Sequence, residues 1–392
     1  MESSQRGFGS RFWSLIGATF LGFLGMGTVL PALAPYVRHD LGGSDRTVGW
    51  VIGTFSFIAL ASRFISGPLA DRRGRKITMQ TGLLSCACAG VAYLLPLHLT
   101  GVYLGRALQG FGEACLYTGA ATWAVELAGV ERGSQALGYV SSAIWGGISA
   151  GPAVGHWLGS FGRAATLQIV AAFVSLLLAS FVGETFRPSH GDAPRRLFRP
   201  SLVTAGIAVG FVNVHYPVIT GFLILHLSQH GNSGPAAFTT YALTILLCRF
   251  FLGKLPDRLP PSITFYGGLV AMGIGLVMLA AGPRPSIAIL ATGILGLGFS
   301  FPWSSIAASV LRRTPVNEHG STIGFLSAFY DLFVGMSSVA AGVVASHFGY
   351  PAAFSMAAVA LFAAAAAGRF VFKPSESTVA PDETEEYETV AR

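Results

Sequence analysis

Five ionisable residues lie deep inside long apolar stretches of this sequence: Arg63, Arg106, Glu113, Arg249 and Asp331. An arginine at the centre of a hydrocarbon layer costs about 2.5 to 3.5 kcal/mol on insertion scales, so it persists where a partner or a water-filled cavity receives it. A carboxyl group shielded from water is a natural site for binding and releasing a proton. Glu113 follows Arg106 by seven residues. At about 100° per residue the two lie nearly on one helix face, two turns apart. Glu113 is the first candidate for a proton carrier, with Arg106 tuning it; a fixed Glu–Arg structural pair is the alternative. Asp331, between Tyr330 and Leu332, reads as a second proton site, as a partner for Arg249 or a cationic substrate, or as a helix-packing residue.

These residues need helices to hold them. Of 392 residues, 52% are hydrophobic and 11% charged, against about 25% charged in an ordinary soluble domain. That composition excludes a soluble or disordered chain and leaves a polytopic membrane protein. The apolar runs are long and continuous rather than alternating, so the spans are helices and not barrel strands. Twelve are expected, at 12–36, 47–69, 77–97, 100–124, 134–158, 163–183, 201–226, 236–254, 262–281, 286–309, 320–345 and 351–371. The first run is too long for a cleavable signal and reads as a retained helix. The fold class is thus all-α, with twelve transmembrane helices in two pseudo-symmetric six-helix bundles. Residues 1–183 and 201–373 form the bundles, 184–200 a basic linker, and 374–392 an acidic tail expected to be disordered.

Charge gives orientation. The net charge of +7 does not point to nucleic acid, because most basic residues sit between apolar runs. With the N-terminus inside, cytoplasmic segments and span ends hold 18 of the 25 Lys and Arg, and the outer loops hold four: Arg38, Arg46, Arg163 and Arg284. Both termini are therefore expected in the cytoplasm. Cys86, Cys88, Cys115 and Cys248 lie in apolar runs without metal or disulfide spacing and read as small apolar fillers. There is no paired-His metal spacing, nucleophile elbow or phosphate loop, so neither an enzyme nor a bound metal or cofactor is expected.

The sequence also repeats itself. The pattern Arg-Phe-x-x-Gly-x-Leu-x-Asp-Arg occurs at Arg63–Arg72 and again, 186 residues on, at Arg249–Arg258. A second echo pairs Glu131-Arg132-Gly133-Ser134 with Glu318-His319-Gly320-Ser321. Two halves related in this parallel sense are the mark of one large transporter architecture.

The loop after span 2 reads Gly67-Pro-Leu-Ala-Asp71-Arg72-Arg73-Gly74-Arg75-Lys76. It resembles the signature loop of the major facilitator superfamily, G-x-L-a-D-r-x-G-r-k, with nothing missing. The resemblance implies a conformational latch that favours the outward-open state, echoed by Asp257 and Arg258. Physically, a Gly permits close helix approach, the Asp can pair with cations or cap a helix, and the basic cluster suits an anionic leaflet. Arg106-Ala-Leu-Gln109-Gly110-Phe-Gly112 resembles the family's R-x-x-Q-G-x-g motif, whose Arg is linked to proton transfer; an arginine satisfied by backbone carbonyls is the alternative. Span 5 carries Gly147, Gly151, Gly155 and Gly159, and Gly151-Pro152-x-x-Gly155 resembles the span 5 motif of antiporter members. A glycine face with a Pro kink would let this helix rock against a neighbour.

The resemblance covers about residues 10 to 373 and points to the bacterial drug/proton antiporter branch and its sugar-efflux-like relatives. Span 1 has no acidic residue where drug/proton antiporters often have one, which shifts proton coupling onto Glu113 and Asp331. Asn213, His215 and Tyr216 in span 7, with Arg249, Tyr117, Trp145 and Tyr330, are candidates to line a substrate cavity. His215 could titrate near neutral pH, contact substrate, or simply bond a neighbouring helix. The expected function is export of a small molecule by proton antiport through alternating access, by a monomer in a bacterial inner membrane. An uncoupled facilitator or importer, and a flippase for lipid or lipid-linked substrates, are the alternatives. Expected partners are the small-molecule substrate, protons and membrane lipid.

Overall fold

The structure, a computed structural model, describes residues 8–129, 132–184, 200–229, 233–252, 259–282, 284–314 and 319–373. The linker stretch 185–199, the tail 374–392, and Asp257 and Arg258 of the second loop lie outside the described residues.

Twelve helices are found among the described residues. In chain order they are α1 (Ser10–Asp40), α2 (Asp45–Arg73), α3 (Arg75–Leu94), α4 (His98–Ala128), α5 (Gly133–Leu158) and α6 (Phe161–Ser180). The second six are α7 (Leu202–Ser228), α8 (Gly234–Phe251), α9 (Pro261–Ala280), α10 (Pro285–Leu311), α11 (His319–Phe348) and α12 (Tyr350–Val371). Nine of these, among the described residues, are long and apolar enough by themselves to cross a membrane. The other three are α4, which carries Arg106 and Glu113, the glycine-rich α5, and α8, which carries Arg249. Large apolar side chains such as Phe64, Trp157 and Phe362 point outward and are 80%, 83% and 77% exposed, which suits a lipid surround.

Local chemistry sets the helix ends. Ser44 and Thr47 form a reciprocal capping box at the start of α2. Gly74 separates α2 from α3 with φ of +105°, a conformation an L side chain rarely adopts. The second glycine of the signature loop is thus required by backbone geometry.

Packing repeats with a period of six helices. Within the first half, α1 packs on α5 and α6, α2 on α4, and α3 on α4 and α6. Within the second, α7 packs on α11 and α12, α8 on α10, and α9 on α10 and α12. The halves meet along two equivalent seams, α2 with α11 and α5 with α8. Even the helix breaks correspond. α1 is interrupted at Val29 and α7 at Val214, and α10 has a further break at Ser300 and Phe301. α5 runs as one helix with Pro152 inside it. Its glycines make close backbone contact. A Cβ on Gly147 would stand 2.5 Å from Phe20 O, one on Gly151 2.6 Å from Gly27, and one on Gly155 would collide with Thr28 O.

The α2–α11 seam is made of backbone. A Cβ on Gly49 would stand 2.5 Å from Ser338 O, and one on Gly342 2.7 Å from Asp45 O. Around it, Tyr350 donates to Asp45 at 3.1 Å, and Arg46 bonds Ser346 and His347. These contacts belong to the Asp45 end. At the opposite end Gly67 and Gly324 have open space where a Cβ would be. The close approach expected at Gly67 is therefore absent in this conformation.

Since Gly147 meets main chain that cannot swing aside, Gly147→Ala should cost about 1 to 3 kcal/mol. Gly138→Ala, facing open space, should change stability by less than about 0.5 kcal/mol. Thermal unfolding of the two variants in detergent checks the contrast.

Candidate functional site

Arg63 of α2 is the centre of the site. Its Nε donates to Asp331 Oδ2 of α11 at 2.6 Å, and its Nη2 stands 3.8 Å from Glu113 Oε2 of α4. The guanidinium also lies over the Tyr117 ring, 5.4 Å from its centroid. Asp331 is 2% exposed. Glu113 Oε2 is buried without a hydrogen-bond partner. Two carboxyl groups therefore share one cation, and the cluster is electrically balanced when one of them carries a proton. It joins the two halves across 268 residues of sequence.

The pairing of Arg106 with Glu113 expected from their spacing is replaced by another arrangement. Arg106 donates to Val51 O at 3.3 Å, to Ile52 O at 3.4 Å and to Gln109 Oε1 at 2.6 Å, and stacks on Phe55 at 4.4 Å. Two turns of helix span about 10.5 Å, and nearer acceptors on α2 take the guanidinium first. Gln109 in turn accepts from Tyr93 and donates to Gln168, which donates to Cys86 O at 2.8 Å. The Arg-x-x-Gln pattern thus ties α4 to α2, α3 and α6. Gly110 and Gly112 let α4 approach the backbones of α2 and α3.

Asp331 likewise takes Arg63 rather than Arg249. Arg249 lies over Trp145 of α5, 4.6 Å from the ring centroid, and its Nε has no hydrogen-bond partner. The remaining cavity candidates gather nearby. His215 hydrogen-bonds Val212 O at 2.8 Å and Tyr241 at 2.9 Å. Because a carbonyl only accepts, the ring hydrogen sits on Nδ1, and Nε2 accepts from the Tyr241 hydroxyl. Tyr330 is a ring neighbour of Trp145, Tyr216 and Trp303 at 6.3 to 6.5 Å. Asn213 donates to Val209 O, leaving Oδ1 buried and unpartnered. Tyr117, Trp145, Tyr216 and Tyr330 are only half-buried, so they border accessible space within the bundle.

The signature loop is held within the first half. Arg75 pairs with Glu126 at 2.7 Å and with Asp71 at 3.6 Å, and Lys76 Nζ donates to Ser180 O and Val182 O. Arg72 is exposed.

Sequence reasoning did not bring Arg63 together with Glu113 and Asp331, and it did not single out Phe299 or Trp303. Arg63 had a signal: among interior arginines it alone opens the duplicated pattern next to the signature loop. No groups of His, Cys, Asp or Glu suited to a metal occur among the described residues.

A twelve-helix bundle of two equivalent halves, with a buried charge cluster where the halves meet, has the architecture of a membrane transporter. The Major Facilitator Superfamily model matches residues 15–234 and 201–391, and the chain belongs to that family. It is 29% identical over 364 residues to an uncharacterized MFS-type transporter of Salmonella typhimurium, STM4428, covering 89% of this chain and 93% of that protein. It is also 29% identical over 368 residues to the Escherichia coli uncharacterized MFS-type transporter YhhS, covering 89% of each. Among solved structures, a D-xylose-proton symporter superposes with a TM-score of 0.77 at 14% identity, over 93% of this chain and 98% of that one; at that identity the likeness is one of fold. The protein is thus an integral membrane transporter and not an enzyme.

Removing Arg63 leaves two buried carboxyl groups facing each other. Arg63→Gln should destabilise the protein by about 3 to 5 kcal/mol. Adding Glu113→Gln and Asp331→Asn to the same chain should recover part of that loss, read as melting temperature in detergent.

Proposed function

We propose that this chain exports a small molecule by proton antiport, alternating between two access states as a monomer in a bacterial inner membrane. The observation that carries the reading is the Arg63 cluster: one cation, two carboxyl groups and an unpartnered Glu113 oxygen, at the place where the halves meet. Sharing one guanidinium makes the cluster a site for one proton at a time. With both acids ionised, Arg63 draws α2, α4 and α11 together. A proton on Glu113 leaves Arg63 to Asp331 alone and loosens α4 from the seam. Proton binding and helix rearrangement are then the same event, which is what coupling requires.

The bias of Lys and Arg supports both termini in the cytoplasm, and the bacterial relatives support the inner membrane. In that orientation the glycine seam lies at the outer face, and Gly67 and Gly324, with open space where a Cβ would be, lie towards the inner face. Substrate enters from the cytoplasm in this state. The bundle then rocks outward, and a proton from the outer side binds at Glu113 as substrate leaves. The signature loop around Asp71, Arg72, Gly74, Arg75 and Lys76, with Asp257 and Arg258 in the second half, would latch the outward-open state. Export as the direction is supported by the Gly151-Pro152-x-x-Gly155 pattern and by the α5 glycines seated on α1. Arg106 acts on this cluster indirectly, by fixing α4 against α2.

The test is flux in proteoliposomes with an imposed proton gradient. Glu113→Gln should fold, retain substrate binding and lose gradient-driven export by about 100-fold or more, the scale of a missing proton-transfer group. Undiminished gradient-driven export by that variant sinks the assignment. Flux indifferent to the gradient in the unaltered protein means an uncoupled facilitator, with the cluster a structural tie.

A further inference from the structure

The duplicated pattern makes Arg249 the second-half counterpart of Arg63, but the two meet opposite chemistry. Arg63 reaches across the α2–α11 seam to a carboxylate. Arg249 reaches across the equivalent α8–α5 seam to the face of Trp145. Of the three interior arginines, Arg63 has two acids and Arg106 has two main-chain carbonyls and Gln109. Among the described residues no carboxylate forms an ion pair with Arg249, and its Nε is buried without a hydrogen-bond partner. An aromatic face compensates a guanidinium only in part. This cation still wants an anion.

The rings around it say what else the anion carries. Trp145 lies edge to face with Phe299 at 6.3 Å and with Tyr330 at 6.5 Å. Phe299 packs on His215 at 4.6 Å and on Tyr241 at 6.3 Å. The polar tips of His215 and Tyr241 are spent on each other, so those two rings present π surface. We infer that the substrate is an organic monoanion with a flat apolar body, its carboxylate-type group received by Arg249 and its body lying among Trp145, Phe299 and Tyr330. One unpaired guanidinium suits one charge, and its planar fork matches a carboxylate edge. The acids that would attract a cation, Glu113 and Asp331, are already committed to Arg63. The assignment rests on the transport reading above, since it takes the centre of the bundle as the substrate's place. It adds that exchanging such an anion outward for a proton inward moves charge across the membrane.

Binding tests it without any gradient. The purified full chain in detergent is melted with benzoate or 1-naphthoate, with their neutral amides, and with benzylamine. The carboxylates should raise the melting temperature saturably, naphthoate more than benzoate, and the amides and the amine should not. Arg249→Gln should weaken carboxylate binding at least about tenfold. If the glutamine variant does not fold, Arg249→Lys keeps the charge without the fork, and weaker naphthoate binding is expected there too. The assignment is overturned if amides or the amine stabilise as well as the carboxylates, if no carboxylate of the panel stabilises, or if the folded Arg249 variant binds naphthoate like the parent. Failure of the exporter reading looks different: carboxylates still bind through Arg249, but their flux ignores the proton gradient.

Discussion

A guanidinium in the middle of a bilayer-thick bundle has no bulk water to turn to, and the architecture around Arg63 follows from that fact. Its charge is met by Asp331 from the other half and by Glu113 from the neighbouring helix. Meeting both requires α2 and α11 to lie close enough for a 2.6 Å contact. Close approach in turn requires small residues where the helices touch, and these are Gly49, Gly53, Gly335 and Gly342. A buried ion pair is a poor source of net stability, because desolvation consumes most of what attraction returns. Its value here lies in register: it fixes which turn of α2 faces which turn of α11, in a seam whose smooth backbones would otherwise slide.

Much of the fold was legible because a bilayer writes itself into sequence as apolar runs, and all twelve expected spans correspond to helices. The repeat was legible too, through Arg63 and Arg249. The breaks in α1 and α7 fall at Val29 and Val214, and their trace lies just beyond, in Pro31 and Pro217, each of which removes a backbone hydrogen bond across the break. Other features left no local trace. The Arg63–Asp331 contact joins positions far apart in the chain, and nothing in periodicity links them. Spacing also misdirected one pairing. Arg106 and Glu113 do share a helix face, but a shared face says nothing about acceptors on the helix opposite, and the carbonyls of Val51 and Ile52 are within reach. At the centre, the aromatic residues were too numerous for composition to choose among them. Only the fold brings Trp145, Phe299, Tyr330 and the His215–Tyr241 pair to one wall.

Duplication followed by divergence explains why the two seams differ. The helices around Arg63 and Arg249 are equivalent in packing, yet one arginine is neutralised by protein and the other lies against an indole. A symmetric molecule with acids at both places would hold two self-satisfied clusters and no free charge. One with acids at neither would hold two cations and no proton site. Breaking the symmetry leaves one arginine paired with carboxylates and one without, joined by Tyr330, which adjoins both Asp331 in sequence and Trp145 in space.

The position of the glycine seam also sets a mechanical ratio. α2 and α11 touch near Gly49, and from there to Arg73 the helix runs about 36 Å. Pivoting on a seam so near one end, α2 is a long lever: each degree of tilt carries its far end about 0.6 Å. About ten degrees would widen the Arg73 end by roughly 6 Å, the girth of an aromatic ring, while the backbones at Gly49 shift by a fraction of that. The same tilt carries Arg63, about 21 Å along the lever, by roughly 4 Å, so the mouth is held by the Arg63–Asp331 contact as well as by the glycine pivot.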